Sequence, residues 1–256
     1  MKSIFEIPSK ITVKISTLIT IILSLLLNRY RTLFLQYLLA FIHELFHCIG
    51  ALFYKLNINS ITFLPFGFYA DLDNLYYVKW YQELIIILLG PLSFFFSMIL
   101  IKYLYLNEFI SYYLYIEMNK ANLFILLFNL LPIYPLDGYR IFKIIFELFF
   151  VEKKSLKIMN FISLISTIIF TIFTFKNNQI FILSFLIYNQ IIMFISFKEI
   201  YKNFLISKTI DNKNNKVKFH YFLDLYRPYD NLVLKNNRLY SDKTFSFYLL
   251  KRRQKK

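Results

Sequence analysis

Two histidines and a glutamate in the first fifth of the chain have the spacing of a hydrolytic zinc site. They form the motif His43-Glu44-x-x-His47. On a helix, residues four apart share one face, so both imidazoles can bind one Zn²⁺ at about 2.0–2.1 Å. Glu44 lies beside them and can act as general base toward a water in the open coordination position. The spacing therefore predicts a catalytic zinc site with His43 and His47 as ligands.

The surroundings of this motif are unusual for a soluble enzyme. It lies near the middle of the apolar segment 33–54. A charged side chain in the middle of a bilayer costs roughly 2.5–3.5 kcal/mol even on the lenient insertion scale, so ionisable residues there are candidates for function. A chance match on a buried helix is the alternative. It explains poorly why two of the chain's three histidines lie here, and the zinc interpretation is favoured.

A third protein ligand must come from elsewhere, because catalytic zinc generally has three. Asp137 is the candidate, since it is the only acidic residue between Lys120 and Glu147. Pro132 and Pro135 would break a helix just before it. An ordinary Asp-Gly turn is the alternative. Together with the histidine motif in one apolar chain, the ligand role is favoured.

Asn129 precedes this carboxylate in a stretch of Leu and Phe. An unpaired amide would be costly there. It either bonds a neighbouring helix or donates to the substrate carbonyl in the transition state. The residues alone favour neither role.

Composition places these motifs in a polytopic membrane protein. The 256 residues are 58% hydrophobic and 21% aromatic, whereas soluble domains are about 45–50% apolar. We predict an all-α protein with about six transmembrane helices. The first is taken as a retained helix and not as a signal peptide, because no small-residue cleavage site follows it. The predicted segments are 11–27, 33–54, 83–105, 118–131, 158–175 and 180–197.

The distribution of positive charge predicts the orientation. If both termini are cytoplasmic, 25 of the 30 Lys and Arg residues lie inside, as the positive-inside rule requires. His43 then lies about 16 Å from the cytoplasmic end of its helix, at 1.5 Å per residue. We therefore expect both termini and the opening of the active site to face the cytoplasm.

The C-terminal segment 198–256 is strongly basic, with fifteen basic and five acidic residues among many aromatic ones. We predict two domains, a six-helix metalloprotease domain at 1–197 and a basic cytoplasmic tail at 198–256. Such a tail could bind single-stranded nucleic acid or the anionic inner leaflet. Because the tail follows a membrane helix, binding to the anionic inner leaflet is favoured over nucleic acid, and the tail could also dock the substrate. No specific nucleic-acid partner is expected. Segment 211–218 is predicted as a polar linker, and His220 as a surface or packing residue.

The two motifs together resemble the site-2 protease family of intramembrane zinc metalloproteases. The His43-Glu44-x-x-His47 motif is followed about 90 residues later by NLLPIYPLDG at 129–138. Within that family, the chain resembles the stage IV sporulation protein FB group in the short connection between the two motifs and in its six-helix layout. The resemblance implies that His43, His47 and Asp137 bind one zinc ion, that Glu44 activates water, and that Asn129 assists the substrate carbonyl.

Two further matches extend the resemblance. Gly90-Pro91 is similar to a Gly-Pro pair of the family, and 61–72 to its hairpin or re-entrant strand after the motif helix. Such a hairpin would hold an extended substrate by edge pairing; a plain interfacial loop is the alternative. We accordingly predict that Gly67, Pro132 and Pro135 border the substrate.

The chain has four glycines, Gly50, Gly67, Gly90 and Gly138. We predict close helix packing at Gly50 and Gly90, and a turn or positive φ at Gly67 and Gly138. Two features depart from the family. Tyr139 replaces a frequent second glycine, and the tail is too short for the paired nucleotide-sensing CBS module of the sporulation group.

These observations predict an intramembrane zinc endopeptidase in a bacterial cell membrane or the membrane around a forespore. Its partners would be the lipid bilayer, a membrane-tethered protein substrate and membrane regulator proteins. A sigma-factor precursor is the first substrate that the resemblance suggests. A prenyl-protein processing peptidase is an alternative, but its third ligand would have to be Glu147, Glu152 or Glu199, all in or near basic loops. A non-catalytic scaffold is the last alternative.

Overall fold

The computed structural model describes residues 10–13, 15–26, 30–64, 67–73, 75–175, 180–210, 216–221, 224–235 and 238–254. These residues are mostly helical. The chain divides into two compact units, the first formed by Met1–Leu75 and Gln82–Leu130, the second by Tyr76–Tyr81 and Leu131–Lys256.

The described residues of the first unit form four α-helices. The first two residues of the third helix belong to the second unit. They are α1 (Ile15–Leu26), α2 (Tyr30–Phe53), α3 (Trp80–Leu106) and α4 (Tyr112–Asn129). Their core is an apolar cluster of Leu35, Leu39, Ile101 and Met118. Many other large apolar side chains of these helices are exposed. This pattern suits helices in lipid, where the backbone is satisfied within each helix and apolar side chains can face outward.

A small sheet accompanies α2 in the first unit. Its strands are β1 (Lys10–Val13), β2 (Ile58–Leu64) and β3 (Gly67–Leu72). The strand order is β1-β2-β3, with β1 parallel and β3 antiparallel to β2. Gly67 has φ 145°, which favours glycine, and a Cβ there would lie 2.9 Å from Cβ of Ala40 in α2. The strand pair predicted after α2 is therefore present and packs against that helix.

In the second unit, the part of the chain that the structure describes forms four more α-helices and a second sheet. The helices are α5 (Asp137–Phe149), α6 (Glu152–Phe175), α7 (Ile180–Thr209) and α8 (Asp242–Gln254). The strands are β4 (Val217–His220), β5 (Asp230–Lys235) and β6 (Arg238–Ser241). Strand β5 lies between β4, which is parallel to it, and β6, which is antiparallel. One apolar core joins the helices to the C-terminal segment and contains Leu156, Met193, Phe204, Leu225, Val233 and Phe245.

Several expectations about secondary structure are wrong. The described residues are mostly helical, as predicted, but the chain is not all-α, because β4, β5 and β6 form a sheet within the segment predicted as a tail. Glu147 and Glu152, which were expected in or near basic loops, lie instead in α5 and at the start of α6, where both form ion pairs with buried Lys143. The segment predicted as a linker at 211–218 is strand from Val217 onward, and its residues 211–215 lie outside the described part of the chain, as do Pro65 and Phe66 of the predicted hairpin.

Three helices among the described residues are long and apolar enough to cross a membrane. They are Leu33–Phe53, Trp80–Leu106 and Glu152–Ile172. All three coincide with predicted segments, and the protein is an integral membrane protein. The count of six spans and a re-entrant location of the β2–β3 pair stay predictions.

Candidate metal centre

The histidines of the motif share one face of α2, as their spacing requires. His43 and His47 are buried, and their Nε2 atoms lie 3.3 Å apart. One ligand atom from each of His43, Glu44 and His47 lies within 4.8 Å of the others. The helix therefore gathers two imidazoles and one carboxylate within reach of a single ion.

The hydrogen bond of His47 determines which ring nitrogen can bind a metal. Its Nδ1 lies 2.9 Å from the carbonyl oxygen of Ile86 in α3. A carbonyl oxygen only accepts, so Nδ1 carries the proton and Nε2 keeps its lone pair. The 3.3 Å between the two Nε2 atoms is about the separation of two nitrogens bound tetrahedrally to one zinc at about 2.0–2.1 Å. The residues present fit a zinc ion.

Two glycines bring the motif helix and α3 together. A Cβ on Gly90 would lie 2.1 Å from Nε2 of His47 and 2.2 Å from Cε1. A Cβ on Gly50 would lie 3.3 Å from the Cα of Ile86, the residue whose carbonyl orients His47. The predicted close packing at Gly50 and Gly90 is confirmed. Gly138 is instead the second residue of α5, so the expected turn or positive φ there is wrong.

The carboxylate of Glu44 is oriented by the sheet and not by another side chain. Its Oε1 accepts a hydrogen bond of 2.7 Å from the backbone amide of Ala70 in β3. Among the described residues, the candidate base is thus hydrogen-bonded directly to the edge strand of the sheet. The sequence gives no signal for this contact, because any residue except proline supplies a backbone amide.

The other predicted site residues are divided between the two compact units. Asn129 is the last residue of α4 in the first unit and is half-buried. Asp137 is the half-buried first residue of α5 in the second unit, and Pro132 and Pro135 lie in the segment between the helices. Three points stay predictions. They are the binding of one metal ion by Asp137 together with the histidines, the role of Asn129, and the substrate contacts of Gly67, Pro132 and Pro135.

The glutamates that an alternative zinc site would need are engaged elsewhere. In the second unit, Glu147 pairs with Lys143, and its Oε2 accepts from Nη1 of Arg227 at 3.0 Å. Glu152 lies 3.3 Å from Lys143 and accepts from the hydroxyl of Tyr76. Burial acts to raise the pKa of Glu147, but Lys143 and Arg227 outweigh it and hold that pKa below its ordinary value. These carboxylates form a buried ion-pair network.

The third candidate glutamate, Glu199, is exposed on α7. His220 is buried and bonds Oδ1 of Asn231 through Nε2 at 2.9 Å. Its predicted packing role is confirmed.

Comparison with known proteins agrees with this geometry. By fold, the chain is similar to the Site-2 Protease from Methanocaldococcus jannaschii. The TM-score is 0.55 with 27% sequence identity, over 76% of this chain and 92% of that chain. By sequence, it is similar to Stage IV sporulation protein FB of Bacillus subtilis (strain 168), with 30% identity over 125 residues. These findings confirm the resemblance to the site-2 protease family.

The sequence match is partial. It covers 49% of this chain and 43% of Stage IV sporulation protein FB, so the chain matches less than half of that relative's length. No protein-family model matches the chain.

Proposed function

We propose that this protein is an intramembrane zinc endopeptidase that cuts a membrane-tethered protein in or near its membrane-associated segment. The observation that carries the proposal is the pair of buried imidazoles with Nε2 atoms 3.3 Å apart, next to Glu44, on an apolar helix. The similarity to site-2 proteases in fold and in sequence supports the same activity.

Each residue has a distinct part in the proposed reaction. His43 and His47 hold the ion, with Asp137 as third ligand. Zinc, when bound, polarises the peptide carbonyl and acidifies a water molecule. Glu44 accepts the proton of the attacking water and passes it to the leaving nitrogen. The amide of Asn129 donates to the carbonyl oxygen as negative charge develops there.

The sheet supplies a way to present the substrate. Strand β3 is at the edge of the order β1-β2-β3, and an extended peptide can add to such an edge by main-chain hydrogen bonds. An extended peptide also exposes the carbonyl groups that a helix would hide in its own hydrogen bonds. Gly67, Pro132 and Pro135 would border this peptide.

The setting of the reaction follows from charge and similarity. We place both termini and the active-site opening on the cytoplasmic side of a bacterial membrane, in a multi-pass arrangement. The name of the Bacillus relative refers to sporulation, and a sigma-factor precursor is the substrate we propose first. Membrane proteins that restrain the enzyme are proposed as further partners.

Substitution of Glu44 separates catalysis from metal binding. Glu44→Gln should leave the protein folded and zinc-loaded but inactive, because this carboxylate is proposed as a base and not as a ligand. Asp137→Ala should lower zinc content as well as turnover. Co-expression with tethered candidate substrates measures cleavage, and elemental analysis of purified protein measures zinc.

Two results would contradict the proposal. Cleavage retained in Glu44→Gln would refute the mechanism, and unchanged zinc in Asp137→Ala would remove that residue from the ligands. Wild-type protein that retains no zinc when purified without chelators would favour the scaffold alternative. A prenyl-protein peptidase is disfavoured because Glu147 and Glu152 are held in ion pairs.

A further inference from the structure

A small cavity in the second unit is lined mainly by cationic and aromatic side chains. Its volume is about 20 Å³, and it is partly open to the surface. None of the described residues that line it is acidic. The lining includes Lys79, Lys208, Arg227, Ser207, Tyr76 and Trp80.

Lys208 is the most informative of these residues, because its ammonium group is buried but incompletely satisfied. Its Nζ donates to the carbonyl oxygen of Tyr229 at 2.7 Å and to Oδ2 of Asp242 at 3.0 Å. An ammonium has three N–H donors, and the third has no acceptor among the described residues. Burial lowers the pKa of Lys208 although Asp242 opposes the shift. A further negative group would therefore stabilise the charged form.

Arg227 is fixed beside the cavity in a similar way. Its Nη1 donates to Glu147 at 3.0 Å, and its guanidinium carbon lies 4.7 Å from the ring centre of Tyr76. A guanidinium keeps its positive charge at any physiological pH, so Arg227 adds to the positive potential of the cavity. Glu147 and Asp242 hold Arg227 and Lys208 in place, and exposed Lys79 adds a third positive charge at the rim.

The place of the cavity in the fold indicates where its ligand comes from. Trp80 is the first residue of the candidate span Trp80–Leu106, and Lys79 directly precedes it. Tryptophan and lysine at the end of an apolar helix are typical of the level of lipid headgroups. Ser207 and Lys208 lie in the last turn of α7. The volume exceeds the about 10–15 Å³ that one water needs, which lets a phosphate oxygen enter.

We propose that this cavity binds the phosphate of an anionic phospholipid headgroup. One phosphate oxygen lies inside, within reach of Lys208 and Arg227, and the rest of the headgroup lies at the mouth beside Lys79. The site is separate from the proposed zinc centre and does not depend on protease activity. A free phosphate would share this chemistry, so the test distinguishes the two sources.

The chain's one tryptophan, Trp80, lines the cavity, so its fluorescence reports binding without a label. Full-length protein in zwitterionic detergent is titrated with short-chain phosphatidylglycerol, short-chain phosphatidylcholine and inorganic phosphate. We expect a saturable change in emission with phosphatidylglycerol, at concentrations well below those needed for the other two. Lys79→Gln should raise the half-saturating concentration about fivefold, which corresponds to roughly 1 kcal/mol per basic residue near a membrane surface.

Lys202→Gln is the matched control, because Lys202 is exposed on the same α7 but does not line the cavity. It should bind like wild type. Ser207→Ala gives a second cavity variant that keeps the Lys208 ion pair. Absence of a saturable change, or equal half-saturation in Lys79→Gln and Lys202→Gln, overturns the site. Inorganic phosphate that binds as tightly as phosphatidylglycerol overturns the lipid as its source.

Discussion

At the scale of single residues, His47 is oriented by a neighbouring helix from two directions. The carbonyl of Ile86 fixes its protonated Nδ1, and Gly90 leaves the space that its Nε2 edge occupies. Glu44 is fixed in a comparable way by a backbone amide of β3. His47 and the candidate base Glu44 are thus oriented by groups of the main chain, which hold them in position for a metal site.

Gly90→Ala tests this orientation. The new Cβ would lie 2.1 Å from Nε2 of His47, so the ring must leave its place. We expect zinc content and proteolysis to fall at least tenfold while the helices remain folded, because shifts of supporting groups typically cost 10–100-fold in metal affinity. Metal analysis and circular dichroism of the purified variant measure these quantities.

Leu92→Ala in the same helix serves as the control, since Leu92 is exposed. It should retain wild-type zinc content. A Gly90→Ala protein with full zinc and full activity would show that His47 does not need this space.

At the scale of elements, a buried ion-pair network joins α5 and α6 to the segment after β4. Glu147 and Glu152 are fully buried, and they share Lys143, while Arg227 reaches Glu147. The amide of Glu152 also donates to the carbonyl of Leu225 at 3.0 Å. Such a network stabilises little compared with an apolar core, but the loss of one partner leaves an uncompensated buried charge.

Arg227→Met should therefore destabilise the protein by roughly 3–5 kcal/mol, the usual cost of breaking a buried pair. Adding Glu147→Gln should recover part of this loss, because it removes the excess negative charge that the loss of Arg227 leaves around Lys143. Denaturant unfolding in detergent measures both variants. Arg238→Met, at an exposed position, should change stability by less than about 0.5 kcal/mol. Equal stabilities of Arg227→Met and Arg238→Met would contradict the role given to the network.

At the scale of the whole molecule, residues of the C-terminal segment contribute to the apolar core of the second unit. Leu225, Val233 and Phe245 are fully buried in one cluster with Phe204 and Leu205 of α7. Its basic residues are divided between buried pairs, such as Lys208 with Asp242, and exposed positions such as Lys216 and Lys243. Net charge alone therefore overstates how much of this segment is available to a membrane or a partner.

Removal of residues 211–256 should for this reason destabilise the second unit. The truncation exposes Phe204 and Leu205, and each large apolar side chain that loses its burial costs about 1.5–3 kcal/mol. We expect a lower yield of folded protein and faster proteolysis of α6 and α7 in membranes, measured by limited trypsin digestion. Removal of only 255–256 should have no effect. A truncated protein as protease-resistant as wild type would contradict this view of the core.

The spacing of the motif and the membrane setting of the chain could be predicted from the sequence alone. Spacing along a helix is local, so His43, Glu44 and His47 could be placed on one face from the sequence, and long apolar runs indicated a membrane protein. Helix α5 was missed because it is amphipathic and too short for the hydropathy pattern of a span.

Which groups orient His47 and Glu44 could be seen in the folded chain but not in the sequence. The contacts of His47 with Ile86 and of Glu44 with Ala70 join residues 39 and 26 positions apart. Because nearly every residue has a backbone carbonyl and amide, the sequence does not indicate which of them make these contacts. The burial of Lys143 and Arg227 was equally hidden, because a charged residue is assigned to water until its partner is known. Residue types indicate which reaction a site can perform, whereas the orientation of its side chains depends on packing between segments that are distant in the sequence.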